Sequence, residues 1–168
     1  MDYLLHVMIL ALIYSVFAMS LNLELGYAGL YNFGHVAFFG IGAYVSALLS
    51  QAGVPVSAAM LCALAAAGIA GALLAVPALR VSGDYFGIAT LVFAEMFRLV
   101  CLNERWLTKG PMGLPGIPRP AWIAPGVDGM PAYLLFTFLA AVGTFVFIRR
   151  LTGSPFGRAG RSLSPPPA

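Results

Sequence analysis

Polar positions are sparse along this chain, and their spacing divides it into segments. An uncharged run from Tyr3 to Leu23 follows Asp2 and is long enough for one membrane crossing of about 20 residues. Polar residues gather at its end, at Ser15, Ser20, Asn22 and Glu24. From Leu25 to Leu79 there is no Asp, Glu, Lys or Arg. That stretch is too long for a single crossing, and Gln51-Ala-Gly-Val-Pro55 interrupts it with turn chemistry. It predicts two spans, one ending near Ser50 and one running from about Val56 to Leu79. Pro77 and Arg80 end the latter, and Val81-Ser-Gly-Asp84 makes a tight turn. A fourth apolar segment begins at Tyr85 or Phe86 and reaches about Leu102. Only Phe86–Ala94 of it is uncharged, so a re-entrant or tilted segment is an alternative to a full span. Five prolines and five glycines between Asn103 and Gly129 predict a loop, flanked by Trp106 and Trp122 as at a membrane interface. A fifth span covers Met130–Ile148 and stops at Arg149-Arg150. The pattern predicts an all-α, polytopic membrane protein of about five spans.

Two local patterns stand out. The stretch Gly26–Gly42 is apolar and uncharged, yet it holds Gly26, Gly29, Gly34, Gly40 and Gly42 together with Asn32 and His35. Glycine inside a soluble helix costs about 1 kcal/mol against alanine. In lipid, small residues let helix backbones approach, and polar groups need protein partners or water. A packed and partly broken membrane segment is expected here. In the third span Ala59, Ala63, Ala67, Gly71 and Ala75 recur every fourth residue. Such a stripe predicts a close helix–helix contact, although an alanine-rich helix can produce one by composition alone. The packing set is therefore Gly29, Gly34, Gly40, Gly42, Ala59, Ala63, Ala67, Gly71 and Ala75.

Composition agrees with the membrane reading. The 168 residues are 61% hydrophobic and 9% charged, with a mean hydropathy of +0.92, where soluble domains carry about 25% charge. The net charge of +3 comes from scattered basic residues, with no basic patch interleaved with stacking aromatics, so no nucleic acid is expected. The N-terminal run lacks a positive flank and is too long for a signal peptide's apolar core. Cys62 and Cys101 have no CxxC spacing and read as ordinary small apolar residues. Arg149, Arg150, Arg158 and Arg161 form the densest basic cluster, which places the C-terminus in the cytoplasm. Counting back over five spans puts the N-terminus in the periplasm. Arg80 then falls inside and agrees, whereas Arg105, Lys109 and Arg119 fall outside.

Candidate chemistry is thin. His6 and His35 are the only histidines, and no nucleophile has a base at a useful spacing. No catalytic residues, cofactor or metal site are expected. Glu95 and Arg98, three residues apart, can face one another on one helical turn. Either they mark a functional site at membrane depth or they lie near the interface and contribute little. Glu24 poses the same choice. If the protein carries a solute, a polar seam is needed between apolar helices. Asn22, Asn32, His35, Thr90 and Glu95 are the candidates for that translocation path, with the Tyr31 and Tyr44 hydroxyls. A shallow, weakly binding path is expected.

Four segments carry a resemblance. They are S-L-N-L-E-L-G-Y-A-G-L-Y-N-F-G-H-V-A-F-F-G-I-G-A-Y from Ser20, P-A-L-R-V-S-G-D-Y-F-G-I-A-T-L-V-F-A-E from Pro77, L-T-K-G-P-M-G-L-P-G-I-P from Leu107, and S-P-F-G-R-A from Ser154. In order and spacing the chain resembles the inner-membrane permeases of branched-chain amino acid ABC transporters, the M-type subunit more than the H-type. The resemblance implies an importer for leucine, isoleucine or valine. Its partners would be a second, H-type permease subunit, two ATPase subunits and a periplasmic substrate-binding protein docking near the 103–129 loop. The permease itself would bind no nucleotide, and no P-loop is present. In the family S-P-F-G-R-A leads into a longer cytoplasmic coupling segment, whereas here G-R-S-L-S-P-P-P-A follows. Residues 1–150 are therefore expected to be the N-terminal part of a permease transmembrane domain, and 151–168 a short basic, Pro-rich cytoplasmic tail in place of the coupling region. A truncated or frameshifted permease is the expectation, with a short paralogue as the alternative. Other readings are a permease for a sugar, amide or urea, and a non-transporting subunit.

Overall fold

The computed structural model describes residues 2–27, 29, 31–78, 84–117 and 129–153. Six α-helices follow in order: α1 Asp2–Asn22, α2 His35–Gln51, α3 Val56–Ala78, α4 Asp84–Asn103, the single turn α5 Arg105–Thr108, and α6 Gly129–Gly153. A π-helical turn, Leu23–Tyr27, continues α1, and a 3-10 turn, Gly110–Met112, follows α5. Helices α1, α3, α4 and α6 are each long and apolar enough to cross a membrane. The turn expected at 81–84, Trp122, the loop from 118 to 128 and the tail with Arg158 and Arg161 lie outside the described residues, apart from Asp84, which begins α4.

The chain forms two compact units. In the first, α1 packs against α6. Met8, Ala11 and Leu12 share a cavity with Pro131, Leu134, Leu135 and Phe138, and Met19, Asn22 and Leu23 share another with Phe145, Ile148, Arg149 and Thr152. Both residue series rise together, so α1 and α6 run in the same direction. Ile9 on α1 and Thr137 and Ala141 on α6 are buried.

In the second unit, residues 31–120, α2 packs on α3 as a hairpin closed by Ala52, Gly53 and Val54, and α4 runs alongside α2. Small residues face inward: Ala37 and Ala47 on α2, and Ala59 and Ala63 on α3, are buried. Large ones face outward, with Leu61, Leu64 and Leu73 on α3 exposed. This inversion suits a bilayer, where outward apolar surface meets lipid and close backbone approach supplies the packing.

The fourth segment, expected from Tyr85 or Phe86 to about Leu102, is a regular 20-residue helix, α4. One boundary differs from the sequence expectation: the second span, whose apolar pattern begins at Tyr31, becomes helical only at His35, and α2 has 17 residues. The cause is local. Gly29 adopts a left-handed backbone, φ +63°. The Asn32 side-chain oxygen accepts the Gly34 N–H at 3.0 Å, and Thr90 Oγ1 accepts the Phe33 N–H at 3.1 Å. These side chains take donors that a continuing helix would have used.

Candidate functional site

The residues that interrupt the second span are held against α4 by a short set of contacts. Thr90 is fully buried, with 0% of its surface exposed. Its hydroxyl donates to the Gly87 carbonyl at 2.9 Å and accepts the Phe33 N–H at 3.1 Å. A β-carbon at Gly34 would lie 3.0 Å from the Thr90 carbonyl oxygen and 3.3 Å from Thr90 Cβ, so the glycine is what lets the two backbones meet. Further along α2, a β-carbon at Gly40 would lie 2.6 Å from the Phe97 ring. The Phe38 and Phe93 rings pack at 5.5 Å, and the edge of Tyr44 meets Phe97 at 6.3 Å. On the other side of α2, a β-carbon at Gly42 would make ordinary contact with Ala63 and Ala67 at 3.9 Å.

Beside this junction lies a cavity of about 360 Å³, lined by Tyr31, Phe33, Gly87, Ile88 and Leu91. Its walls are aromatic and aliphatic. On the outer face of α4, Arg98 grips Glu95 through two hydrogen bonds, Nε to Oε2 at 2.8 Å and a terminal nitrogen to Oε1 at 2.6 Å. Both side chains stay open, at 52% for Glu95 and 59% for Arg98. They lie about 2 Å and about 7 Å along the axis from the middle of α4, at a rise of about 1.5 Å per residue, and not at its ends.

The other end of α4 carries the glycine-rich loop. The Thr108 hydroxyl donates toward the Cys101 carbonyl at 2.6 Å and the Glu104 carbonyl at 3.0 Å, and accepts the Gly110 N–H at 3.2 Å. Gly110 has φ +63°, and a β-carbon there would lie 3.1 Å from the Leu102 carbonyl oxygen. The Gln51 amide donates to the Pro115 carbonyl at 2.7 Å, tying this loop to the end of α2. Trp106 is 81% exposed, with its indole N–H on Glu104.

These motifs fall inside one continuous match. Residues 3–164 match the family described as the permease component of branched-chain amino acid transport systems. The chain belongs to this family. Among its curated relatives is the high-affinity branched-chain amino acid transport system permease protein LivM of Escherichia coli, 32% identical over 92% of this chain and 42% of its own length. The LivM protein of Salmonella typhimurium is 33% identical over 92% of this chain and 42% of its own length. A probable branched-chain amino acid transport permease protein LivM of Methanocaldococcus jannaschii is 24% identical over 90% and 53%. The chain thus spans roughly half the length, or less, of these relatives. No solved structure matches it.

Within this permease chain the five sequence candidates for a path separate. Asn32 and Thr90 come together at the junction, and His35 opens α2 beside them. Thr90 spends its hydroxyl on two backbone partners. Glu95 lies about 140° around α4 from Thr90, on the open face. Asn22 belongs to the first unit, where its side-chain oxygen would lie 2.6 Å from a β-carbon at Gly26. Of the packing set, Gly34, Gly40 and Gly42 make the close approaches described. Ala59 and Ala63 are buried, Ala67 and Gly71 half-buried, and Ala75 exposed. Gly29 is an exposed position outside any helix. Phe33, Gly87, Ile88 and Leu91 were not singled out by sequence reasoning. The signal was available in the spacing, since Ile88, Leu91 and Glu95 recur at the 3- and 4-residue steps of one helix face. Among the described residues no group of three metal-ligating side chains forms.

Proposed function

We propose that this chain forms part of the solute path of an ABC importer for branched-chain amino acids, as an M-type membrane subunit. The observation that carries this reading is the family match across residues 3–164, together with four helices long enough to span a bilayer. The relatives' names point to the same substrate class. A second permease subunit of the H-type, two ATPase subunits and a periplasmic binding protein complete the machine. ATP hydrolysis belongs to the ATPases. Specificity rests first with the binding protein, so the membrane path needs only weak contacts.

In this reading the α6 end at Arg149-Arg150 faces the cytoplasm, and the N-terminus of α1 faces the periplasm. The turn Arg105–Met112, with exposed Trp106, then belongs to the periplasmic side, where the binding protein docks. In the second unit Asn32, His35 and Glu95 are our candidates for residues that border the path, with Thr90 holding the broken segment in place. Asn22 is a separate candidate within the first unit.

Deleting the gene and following uptake of labelled leucine, isoleucine, valine, urea and a sugar tests the assignment. Loss confined to the three amino acids supports it. Unchanged amino-acid uptake with loss of urea or sugar uptake contradicts it.

A further inference from the structure

The open face of α4 carries two features that a plain packing role does not require. Ile88, Leu91, Glu95, Arg98, Leu99 and Leu102 fall on one face, at helical steps of three and four residues. All but Leu102, which is half-buried, are exposed. The Glu95–Arg98 pair sits on this face near mid-helix. Ionisable groups at that depth face protein or water, because hydrocarbon does not solvate them. One turn toward the N-terminus, Leu91 and Ile88 form one wall of the 360 Å³ cavity, and Tyr31 and Phe33 form another. The opposite wall is built on purpose: Phe33 is held by Thr90, and Gly87 leaves room for its ring, 3.3 Å from where a β-carbon would be.

A free α-amino acid is a zwitterion with an apolar side chain. We infer that this face of α4 is a transit subsite for it. The Glu95 carboxylate receives the substrate's ammonium, the Arg98 guanidinium receives its carboxylate, and the branched side chain enters the cavity between Phe33 and Leu91. In the structure the two charged side chains contact each other, and a bound zwitterion would exchange with that contact. The dimensions agree, since side chains one helical turn apart are separated by about 5–6 Å. A cavity of this size lies at the small end of the range for ligand pockets, about 300–1,000 Å³, and has ample room for a branched aliphatic side chain. A sugar or urea carries no formal charge to match either group. The inference deepens the importer reading and rests on it.

The test uses the permease assembled with its partner subunits in proteoliposomes, with ATP inside and binding protein outside. Glu95→Gln and Arg98→Gln are each expected to lower leucine uptake about tenfold or more, the loss of one charged hydrogen-bonded contact. The exchanged pair Glu95→Arg with Arg98→Glu keeps an ion pair but reverses the head group against the cavity, and is expected to remain inactive. Leu91→Phe narrows the cavity and is expected to lower leucine and isoleucine uptake more than valine uptake. Full leucine uptake by the exchanged pair would make the pair structural and overturn the inference. So would an unchanged leucine-to-valine ratio in Leu91→Phe, including the case where the charge variants fail to assemble. In these outcomes the wild type still moves leucine, so the importer reading stands. A wild-type complex that moves only uncharged solutes overturns both.

Discussion

Thr90 decides how the second membrane segment is shaped. Its hydroxyl joins the Phe33 N–H to the Gly87 carbonyl, in a place from which water is excluded. Valine has the same shape and neither hydrogen bond. Thr90→Val is expected to destabilise the second unit by about 1–3 kcal/mol, since a buried backbone donor loses its acceptor, while Thr90→Ser stays near wild type. Thermal unfolding in detergent reads both. The glycines rank by the same reasoning. Gly34→Ala drives a methyl group against the Thr90 carbonyl, which is backbone and cannot yield, whereas Gly40→Ala meets the edge of a Phe97 ring that can turn. Gly71→Ala meets nothing within 4 Å and is expected to leave the melting temperature unchanged or raise it. A melting order in which Gly71→Ala is the worst of the three contradicts the placement of α2 against α4. Thr90 could be picked out from the sequence as a polar residue in an apolar run. Its use as a clamp could not, because the partner is 57 residues away along the chain.

At the scale of elements, α2 and the loop after α4 show what patterning can and cannot fix. The charge-free stretch and its Gln51–Pro55 break located the α2–α3 hairpin, because both signals are local. The helix starts at His35 and not at Tyr31, where the apolar pattern begins, because that start depends on contacts made by Phe33 and Gly34 with a helix that follows much later. Asn32→Ala removes the acceptor for the Gly34 N–H and is expected to cost about 1 kcal/mol, with faster amide exchange at Gly34 and the first turn of α2. The loop Gly110–Ile117 was legible as a loop from its glycines and prolines. Its tether was not. Gln51→Ala frees the Pro115 carbonyl and is expected to raise protease sensitivity between Gly110 and Ile117 while leaving the helices intact. Equal cleavage rates in both proteins would show that the tether does not hold the loop.

For the molecule as a whole, helix directions constrain how the chain threads the membrane. Helices α1 and α6 run parallel within the first unit. If both cross the bilayer, the chain between them crosses an odd number of times. Helices α3 and α4 alone would give an even number, so α2 completes the count. At 17 residues α2 is about 26 Å long, a little short of a hydrocarbon core of about 30 Å. The preceding residues 31–34 cover the remainder, with backbone donors satisfied by Asn32 and Thr90. Irregular backbone at that depth is tolerated where protein satisfies it, and it commonly lines a polar cavity. Reporter fusions after Tyr27 and after Gln51, on either side of α2, are expected on opposite sides of the membrane, and the same side for both would exclude a crossing by α2. The central claim, that this chain builds the path for branched-chain amino acids, has a more direct test. Proteoliposomes are assembled with the partner permease, the ATPases and the binding protein, with and without this chain, and leucine entry is followed after ATP is supplied. The account predicts ATP-dependent leucine entry only when this chain is present. Equal entry in its absence would contradict it.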